Sequence, residues 1–460
     1  MSTPASHPAS HQAPKGTRDF YPLDAARRRF ITEAWRSASL RHAFDEIDGP
    51  IFEHLDLYTV KSGEGIVSEL FSFRREGGEK DYALRPEFTP TLARLYAAKA
   101  GSLSKPTRWF TSGPFFRAEK PQRGRLREFL QWNCDILGDA SFAADAEVIA
   151  TCVALLRQLG LTKDDVRVKV NHRAALGAWL VKRGLAEDRH PELFKLLDAK
   201  GKMPAAEFDS KVAAFGFSPQ QAEVFRRGIV RVTVPAGVDP RQAELDPLAP
   251  PALDPSVTDV MDLTYFADAV LPLAREFVSA GIIDWIDFDL SIVRGLAYYT
   301  GMVFEVHEAG GQERAIAGGG RYDNLVELFG GPSTPAVGFG MGDVVLGLVL
   351  EDRGLMPKDQ ALLRAVGATP DVFVLPGPAP EAEGLVKPMA ARLRAAGLHA
   401  RYSAKTTRNI GKLLKEAGDS GARLCLIIEG ATSASVKNMS SGEQVGPIDL
   451  PAALAMLGLR

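Results

Sequence analysis

The chain is poor in the residues that build disulfide frameworks and structural zinc sites. It has only three cysteines in 460 residues, Cys134, Cys152 and Cys425. Their number is odd and no two of them form a C-x-x-C pair, which argues against paired disulfides and against a zinc site. The eight histidines are scattered without the spacing of metal ligands. The sequence therefore predicts a protein of a reducing compartment with no metal site built from its side chains.

Long hydrophobic runs and a strong excess of one charge are also absent. No apolar run approaches the roughly 20 residues that cross a bilayer. Residues 1–14 are rich in Pro, Ser and Ala and lack the basic and apolar regions of a signal peptide, so we expect a disordered tail. The net charge of −2 creates no global basic field, and any nucleic-acid binding would need local patches. We expect a cytoplasmic protein that does not enter membranes.

What the chain has is the composition of a globular protein, with 45% hydrophobic and 24% charged residues, and a length typical of about three domains. Strand-like runs bounded by Gly and Pro predict a largely antiparallel sheet in an α+β domain. A polar helical stretch with a Pro-rich interruption at 235–255 reads as an insertion, and β-α-β-α-β alternation near the end predicts a small α/β domain. The predicted segments are the first part of the sheet domain at 15–170, the insertion at 171–277, the second part at 278–357, a linker at 358–369 and the α/β domain at 370–460.

The stretch RGLAYYTG, residues 294–301, places a cation and two phenols close together. It follows the alternating run 285–293, which predicts a half-buried strand, so Arg294 should lie where that strand ends. Tyr298 and Tyr299 should point to opposite faces of the next extended segment. On spacing alone, a phosphate-binding arginine and a strand-end arginine paired with a surface acid are equally good interpretations.

The stretch LRPEFTP, residues 84–90, places Glu87 and Thr89 two residues apart between prolines. A carboxylate held at a rigid strand end can bind an ammonium group, and the prolines stiffen the turn. Thr89 could instead cap the helix that is expected to begin near Pro90. The two interpretations are compatible.

Residues 113–135 predict a hairpin with a long basic tip. Arg117 follows two phenylalanines and could hold a phosphate with both arms of its guanidinium, while the tip could meet nucleic-acid phosphates. A solvated basic loop is the usual alternative for the tip. On the second strand, Gln131, Asn133 and Asp135 should project from one face of the sheet, since they lie two residues apart in turn.

Two glycine-rich stretches follow, AIAGGGRYD at 315–323 and GFGMG at 338–342. Three glycines after a predicted strand would let the backbone approach a ligand closely. Neither stretch is G-x-G-x-x-G, and no G-x-x-x-x-G-K-[ST] occurs, which excludes Rossmann and P-loop nucleotide sites. A nucleotide site would have to be built on arginines of the sheet.

Together, these stretches resemble the class II aminoacyl-tRNA synthetases, and specifically the histidyl-tRNA synthetase family, from about Lys15 to the C-terminus. Pro50 resembles the proline of the first class motif, the hairpin resembles the second, and residues 338–342 resemble the third. Residues 294–301 and 317–324 resemble the two histidine motifs, and 436–444 resembles the end of the anticodon-binding domain. The resemblance implies a six-stranded antiparallel sheet flanked by helices, a helical insertion, a C-terminal α/β anticodon-binding domain, and a homodimer.

The resemblance also implies ligands and residue roles. The expected ligands are L-histidine, ATP with Mg²⁺, and tRNA(His). Histidine would be bound by Glu87, Thr89, Gln131, Asp135, Arg294, Tyr298, Tyr299 and Tyr322. ATP would be bound by Arg117, Glu119, Arg125, Gly340 and Gly342. The tRNA would be met by Gln122 and Arg123 at the acceptor end and by Lys405, Arg408 and Lys412 near the anticodon. A solvated helix face explains the last three residues equally well.

Within these sets, the resemblance gives some residues a finer role. Glu87 and Thr89 would hold the α-amino group, and Asp135 and Tyr299 the imidazole nitrogens. Arg117 and Arg294 would be the catalytic cations on either side of the α-phosphate.

The chain departs from the family pattern at four positions. It has Phe88 where a glycine is common, Asp135 where a glutamate is frequent, Ala297 where an aspartate is frequent, and Val345 where the third motif has an arginine. The contact to the γ-phosphate is therefore left without an assigned residue, and Arg123, Arg125 and Arg127 are the candidates.

Two alternative functions remain beside the histidyl enzyme, the first favoured slightly by Val345 and Phe88 and the second by a shared type of C-terminal domain. One is the synthetase-like regulatory subunit of ATP phosphoribosyltransferase in histidine biosynthesis, but such paralogues resemble only the catalytic domain. The other is a class II synthetase for proline, threonine or glycine, against which the tyrosine pair argues.

Overall fold

The computed structural model describes residues 12–62, 69–227, 229–230, 263–294, 298–311 and 313–459. These residues form two compact units, one comprising Met1–Asp19 and Ile31–Leu355 and the other Phe20–Phe30 and Met356–Arg460. The Pro-rich segment 235–255, Ala297 and most of the predicted tail lie outside the described residues. No helix of the described part is long and apolar enough to span a membrane.

The first unit contains a large sheet and a small one. Its strands are β1 (Asp45–Glu46), β2 (Phe52–His54), β3 (Ser72–Arg74), β4 (Asp81–Leu84), β5 (Thr107–Phe116), β6 (Glu128–Leu137), β7 (Val166–His172), β8 (Ile229–Val230), β9 (Ile286–Asp289), β10 (Met302–Glu308), β11 (Ala317–Arg321) and β12 (Ala336–Gly342). The large sheet has the order β1-β5-β6-β12-β11-β10-β7-β9-β8, and the small sheet has the order β2-β4-β3. Six successive strands, from β5 to β7, pair antiparallel. The predicted six-stranded antiparallel sheet is thus confirmed, with further strands at both of its edges.

Helices surround the sheets. They are α1 (Pro22–Arg41), α2 (Asp56–Ser62), α3 (Thr89–Lys99), α4 (Phe142–Gln158), α5 (Arg173–Lys182), α6 (His190–Asp198), α7 (Ala205–Ala213), α8 (Pro219–Arg227), α9 (Leu263–Ser279), α10 (Leu325–Leu328) and α11 (Asp343–Asp352). Helices α5 to α8 enclose a separate apolar cluster that includes Trp179, Phe208 and Phe225. Helix α9 packs against α4 and α5, so the helix at the end of the predicted insertion contributes to the layer over the sheet.

Alternation along β6 separates the core from the open face of the sheet. Trp132 and Cys134 are completely buried on the helical side, where Trp132 stacks on Trp35 of α1 at 6.2 Å between ring centroids. The intervening positions, beginning with Gln131, project to the opposite face because side chains alternate along a strand. All three cysteines of the chain are buried and unpaired.

Two local predictions about strands were wrong. The strand predicted over 285–293 ends at Asp289, where the Asp289 carboxylate accepts hydrogen bonds from the backbone and hydroxyl of Ser291 and closes a turn. Arg294 therefore lies five residues beyond the strand. The glycines at 318–320 do not follow a strand but form the centre of β11, because they pair with β10 and β12 on both sides.

The second unit contains β13 (Val372–Pro376), β14 (Ala400–Tyr402), β15 (Leu424–Ile428), β16 (Ser433–Asn438) and β17 (Gln444–Asp449). Its helices are α12 (Asp359–Ala365), α13 (Ala382–Ala395), α14 (Ile410–Asp419) and α15 (Leu450–Met456). The order is β14-β13-β15-β16-β17, parallel among the first three strands and antiparallel thereafter. The β-α-β-α-β pattern is present, and the segment predicted as a linker contains α12.

Candidate active site

Three glycines form the floor of a polar pocket on the open face of the large sheet. Gly318 lies on β11, and Gly338 and Gly340 lie on β12. A methyl group added to Gly318 would collide with the guanidinium of Arg294, and one added to Gly338 would collide with the carboxylate of Asp135. At Gly340 it would lie 2.8 Å from the side-chain nitrogen of Gln131. The missing side chains thus make room for three polar groups predicted to bind ligands.

Asp135 lies at the inner end of this pocket. Its carboxylate accepts a hydrogen bond of 2.5 Å from the hydroxyl of Tyr322, and only 3% of the residue is exposed. Burial raises the pKa of Asp135 to about 7, while the hydrogen bond from Tyr322 acts in the opposite direction. The group can therefore change its charge near neutral pH.

The two adjacent tyrosines line the same pocket, so the prediction that they point to opposite faces was wrong. Their ring centroids are 4.7 Å apart, and Tyr298 also meets Tyr322 edge-on at 5.9 Å. The reason is that β10 begins only at Met302, so neither tyrosine is constrained by strand alternation. The hydroxyl of Tyr298 lies 3.4 Å from the carboxylate of Glu87 across the pocket.

Arg294 reaches the pocket from an irregular segment. Its φ of 51° falls in the left-handed region that non-glycine residues rarely adopt. Its guanidinium donates to Glu305 at 3.2 Å, and the other oxygen of Glu305 lies 2.9 Å from His307. The guanidinium also lies 5.7 Å from the ring centroid of Tyr299. The side chain is thus braced by β10 rather than by the strand that precedes it.

Arg117 approaches the pocket from the hairpin formed by β5 and β6. It donates to the carbonyl of Pro86 at 3.2 Å, and its guanidinium lies 5.3 Å from the ring centroid of Phe129. Arg117 and Arg294 line one pocket together with Glu87, Thr89, Gln131, Asn133, Asp135, Tyr298, Tyr299, Gly318, Tyr322, Gly338, Phe339 and Gly340. The structure therefore brings together all eight residues predicted to bind histidine.

Thr89 does not cap the helix that follows it. Helix α3 begins at Thr89 itself, and the position before it is occupied by Phe88, which makes no side-chain cap hydrogen bond. Phe88 is buried and meets Phe115 edge-on at 6.5 Å. Phe88, which stands where a glycine is common, is thus accommodated in the apolar core. The side chain of Thr89 lines the pocket.

Two polar residues of the site were given no binding role from the sequence. Asn133 lines the pocket and accepts a hydrogen bond of 2.8 Å from Gln131. The sequence had placed it on the same strand face as Gln131 and Asp135, without assigning it a function. Arg85 is fully buried and donates to Asp48 and to the carbonyls of Gly49 and Pro114. It fixes the turn that carries Glu87.

A second, wider groove opens from the first pocket and shares Arg117, Gln131, Arg294, Gly318 and Gly340 with it. Its outer part is lined by Arg125, Glu305, Arg314, Gly342 and Val345. Glu119 forms an ion pair with Arg125, and Arg123 pairs with Glu313 at 2.5 Å. Gln122 and Arg123 are exposed at the hairpin tip. Among the described residues, no group of His, Cys, Asp and Glu is arranged to hold a metal ion.

The hairpin is braced by the segment that precedes α1. The carbonyl of Gly16 accepts hydrogen bonds from the backbone amides of Arg127 and Glu128. Asp343, directly after Gly342, accepts from the side chain of Arg18 at 2.7 Å and from the amide of Leu130 at 2.8 Å. The base of the hairpin is thus tied both to residues 16–18 and to α11.

In the second unit, the three basic side chains predicted to meet the anticodon are exposed on or near α14. Lys405 pairs with Glu416 at 3.0 Å, and Arg408 pairs with Glu383 at 2.9 Å. Lys412 lies in the first turn of α14. These three side chains therefore have the solvent exposure and positive charge that a contact with nucleic-acid phosphates requires.

Comparison with known proteins gives a consistent result. The model of the histidyl-tRNA synthetase family matches residues 16–342. A histidine–tRNA ligase of Opitutus terrae is 38% identical over 419 residues, 91% of each chain. That of Halobacterium salinarum is 39% identical over 436 residues, 94% of each chain. In fold, the chain is similar to a histidyl-tRNA synthetase from Nostoc, with a TM-score of 0.72 and 23% identity over 97% of this chain and 98% of the other.

Proposed function

Because the chain belongs to the histidyl-tRNA synthetase family, it joins histidine to tRNA at the expense of ATP, and we propose that the pocket beside Asp135 and Tyr322 is where histidine is bound and activated. The observation that supports this assignment is that one pocket contains the buried carboxylate of Asp135, a second carboxylate, Glu87, and two arginines. Histidine offers an imidazole, an ammonium group and a carboxylate to match them.

In the proposed complex, the Asp135 carboxylate accepts a hydrogen bond from an imidazole N–H. The hydroxyl of Tyr322 holds one oxygen of Asp135 and leaves the other for the ligand. Tyr299 contacts the second imidazole nitrogen, and the Tyr298 ring closes the pocket against Tyr322. Glu87 and Thr89 bind the α-amino group, with Gln131 beside it.

Activation forms a bond between a histidine carboxylate oxygen and the α-phosphorus of ATP as the bond to pyrophosphate breaks. We propose that Arg117 and Arg294 stabilise the negative charge that develops on the α-phosphate oxygens. Arg125 lines the proposed nucleotide groove and is paired with Glu119, and the backbone of Gly340 and Gly342 lies on the sheet side of the groove. Mg²⁺ is proposed to enter with ATP, because Mg²⁺ is commonly held by substrate phosphates and one or two carboxylates.

In the second step, the terminal ribose hydroxyl of tRNA(His) takes the histidyl group and AMP leaves. Gln122 and Arg123 at the exposed hairpin tip are proposed to meet the acceptor end. Lys405, Arg408 and Lys412 are proposed to meet the anticodon region, supported by their exposure and charge.

The decisive experiment measures histidine-dependent ATP–pyrophosphate exchange with and without Mg²⁺, followed by charging of tRNA(His). Exchange tests the proposed pocket, and charging tests the tRNA contacts. Lys412→Glu should slow charging while leaving exchange unchanged, because Lys412 belongs to the other compact unit. Histidine binding without exchange would overturn the catalytic assignment of the pocket and favour a regulatory role.

The pH dependence of histidine use should report the carboxyl group of Asp135. Its pKa is raised to about 7 by burial, so below that pH the group is increasingly protonated, loses its negative charge and accepts the imidazole N–H more weakly. We expect kcat/KM for histidine, taken relative to Asp135→Asn at the same pH, to fall by up to about tenfold per pH unit below pH 7. The ratio cancels the titration of histidine itself. A ratio that stays constant from pH 8 to pH 5.5 would contradict this role.

We further propose that the protein forms a homodimer through the small sheet. Phe52 and Phe73 are 50% and 45% exposed, and with Tyr82 they form an aromatic cluster with centroids 5.8 to 5.9 Å apart. The exposed Pro50, at the position resembling the first class motif, lies next to this surface. A cluster of exposed aromatic rings is typical of an association surface.

Sedimentation should give about twice the chain mass of 49.7 kDa. Phe52→Ser combined with Phe73→Ser should shift the mass towards that of a monomer, because it removes apolar contact area. Leu328→Ser, at a position that is 51% exposed outside this sheet, should leave the dimer intact. A double variant that sediments unchanged would exclude the small sheet as the interface.

A cytoplasmic location is proposed from the three buried thiols, since unpaired cysteines are typical of reducing compartments. Fractionation of cells that produce the protein would test it, and recovery outside the cytoplasm would refute it.

A further inference from the structure

Arg314 lies at the outer end of the nucleotide groove, in the segment that leads into β11. Its side chain passes beside Gly124 at the hairpin tip. A Cβ built on Gly124 would lie 3.7 Å from Cδ of Arg314 and 3.3 Å from a methyl group of Val345. The stem of Arg314 and the side chain of Val345 therefore lie next to one another beneath the tip. At this place, α11 contributes only the apolar side chain of Val345, whereas Arg314 contributes a guanidinium.

The neighbouring arginines differ from Arg314 in their contacts. Arg125 is paired with Glu119, and Arg123 is paired with Glu313 and lies 3.4 Å from Asp352. Arg127 donates to the carbonyls of Glu119 and Lys15. Across the described part of the chain, the guanidinium of Arg314 makes neither a hydrogen bond nor an ion pair within 4 Å.

The surroundings of Arg314 favour an anion. Partial burial lowers the pKa of Arg314, and the nearby charge of Arg125 adds to this effect, while Glu119 opposes it. Arginine remains charged at any physiological pH. The protein without ligand therefore retains the repulsion between Arg314 and Arg125. A bound anion would relieve that repulsion and satisfy the donors of the guanidinium.

We propose that Arg314 binds the terminal phosphate of ATP and thereby orients the departing pyrophosphate. Arg117 and Arg294 line the part of the groove that is shared with the first pocket, and Arg125 and Arg314 line the part that is not shared, so each part contains cations. A triphosphate chain matches two separated cationic sites, whereas adenine and ribose carry no charge that would require the second. Arg314 would thus make the γ-phosphate contact that Val345 cannot make. It replaces Arg123, Arg125 and Arg127 as the candidate for that contact.

This inference rests on the proposed nucleotide groove, and the test separates the two. Dissociation constants for ATP, ADP and AMP are measured on the full chain without histidine, so that ATP is not consumed, for the unaltered protein and for Arg314→Ala. We expect the affinity for ATP to fall by at least about tenfold, since a hydrogen bond to a charged group is lost. The affinities for ADP and AMP should change less than twofold. Failure of the unaltered chain to bind AMP would refute the groove itself.

Two further variants sharpen the result. Arg314→Lys should restore part of the ATP affinity, because it keeps the charge but loses the forked geometry. Arg353→Ala is the matched control, since Arg353 is a partly exposed arginine paired with Asp165 and Glu308 outside the groove. It should bind all three nucleotides normally. An equal loss for ATP and ADP in Arg314→Ala would place the arginine at the β-phosphate and overturn the assignment, and an equal loss for all three nucleotides would show a structural role.

Discussion

Replacing Arg294 with alanine is expected to lower kcat for histidine-dependent ATP–pyrophosphate exchange by about 100-fold or more. The guanidinium is fixed before ATP arrives, by Glu305 at 3.2 Å and by the ring of Tyr299. A cation held in place in this way stabilises charge in the transition state without a cost of reorganisation. Steady-state exchange at saturating histidine and ATP measures the effect.

The same variant should raise the KM for histidine by a smaller factor than it lowers kcat. This split is expected because Arg294 acts mainly on the charge that appears as pyrophosphate leaves. Arg353→Ala again provides the control, since it removes an arginine from the same unit without touching the pocket. If kcat for Arg294→Ala decreases by less than threefold, the catalytic assignment of Arg294 is refuted.

Gly338→Ala is expected to lower kcat/KM for histidine by about 100-fold or more. The added methyl group would overlap the Asp135 carboxylate, and Asp135 cannot move away freely because Tyr322 holds it in a buried position. Overpacking of a dense interior typically costs about 1–3 kcal/mol, and displacement of the imidazole-binding group adds the loss of a charged hydrogen bond. Calorimetry would measure the loss of histidine affinity, and exchange kinetics would measure the loss of kcat/KM.

The matched control lies four residues further along the same strand. A methyl group on Gly342 would meet no atom within 4 Å, and its φ of −87° suits any residue. Gly342→Ala should therefore keep histidine affinity within about twofold while making the same chemical change. Equal histidine affinity in Gly338→Ala and the unaltered protein would show that the glycine floor is not required for this pocket.

The parts of the site that lie on regular strands could be predicted from the sequence. Gln131 and Asp135 were placed on one sheet face because the period of a strand is two, and the structure confirms that both line one pocket. The same rule placed Asn133 on this face, although the strand period alone assigned it no role. The antiparallel pairing was also predictable, since Gly and Pro bound the strands at short intervals.

The predictions that were wrong concern residues whose positions depend on irregular backbone or on contacts between distant parts of the chain. No local sequence signal shows that Asp289 ends its strand through Ser291, and so the position of Arg294 was predicted wrongly. The orientation of Tyr298 and Tyr299 was predicted wrongly because β10 begins only at Met302. Arg85 was given no role from the sequence, and its partners Pro114 and Asp48 lie 29 and 37 residues away along the chain. Such groups are fixed by tertiary packing, which a single sequence does not reveal.

The hydrogen bonds around Gly16 and Asp343 bear on where this enzyme can be divided. Residues 16–18 lie before the first helix and would be discarded in a fragment designed to start at Pro22. Such a fragment would keep every residue of the pocket but lose the Gly16 carbonyl and the Arg18 guanidinium that hold the base of the hairpin. The smallest functional catalytic piece therefore begins upstream of its first regular element, and an affinity tag placed near residue 16 would press on the hairpin that carries Arg117.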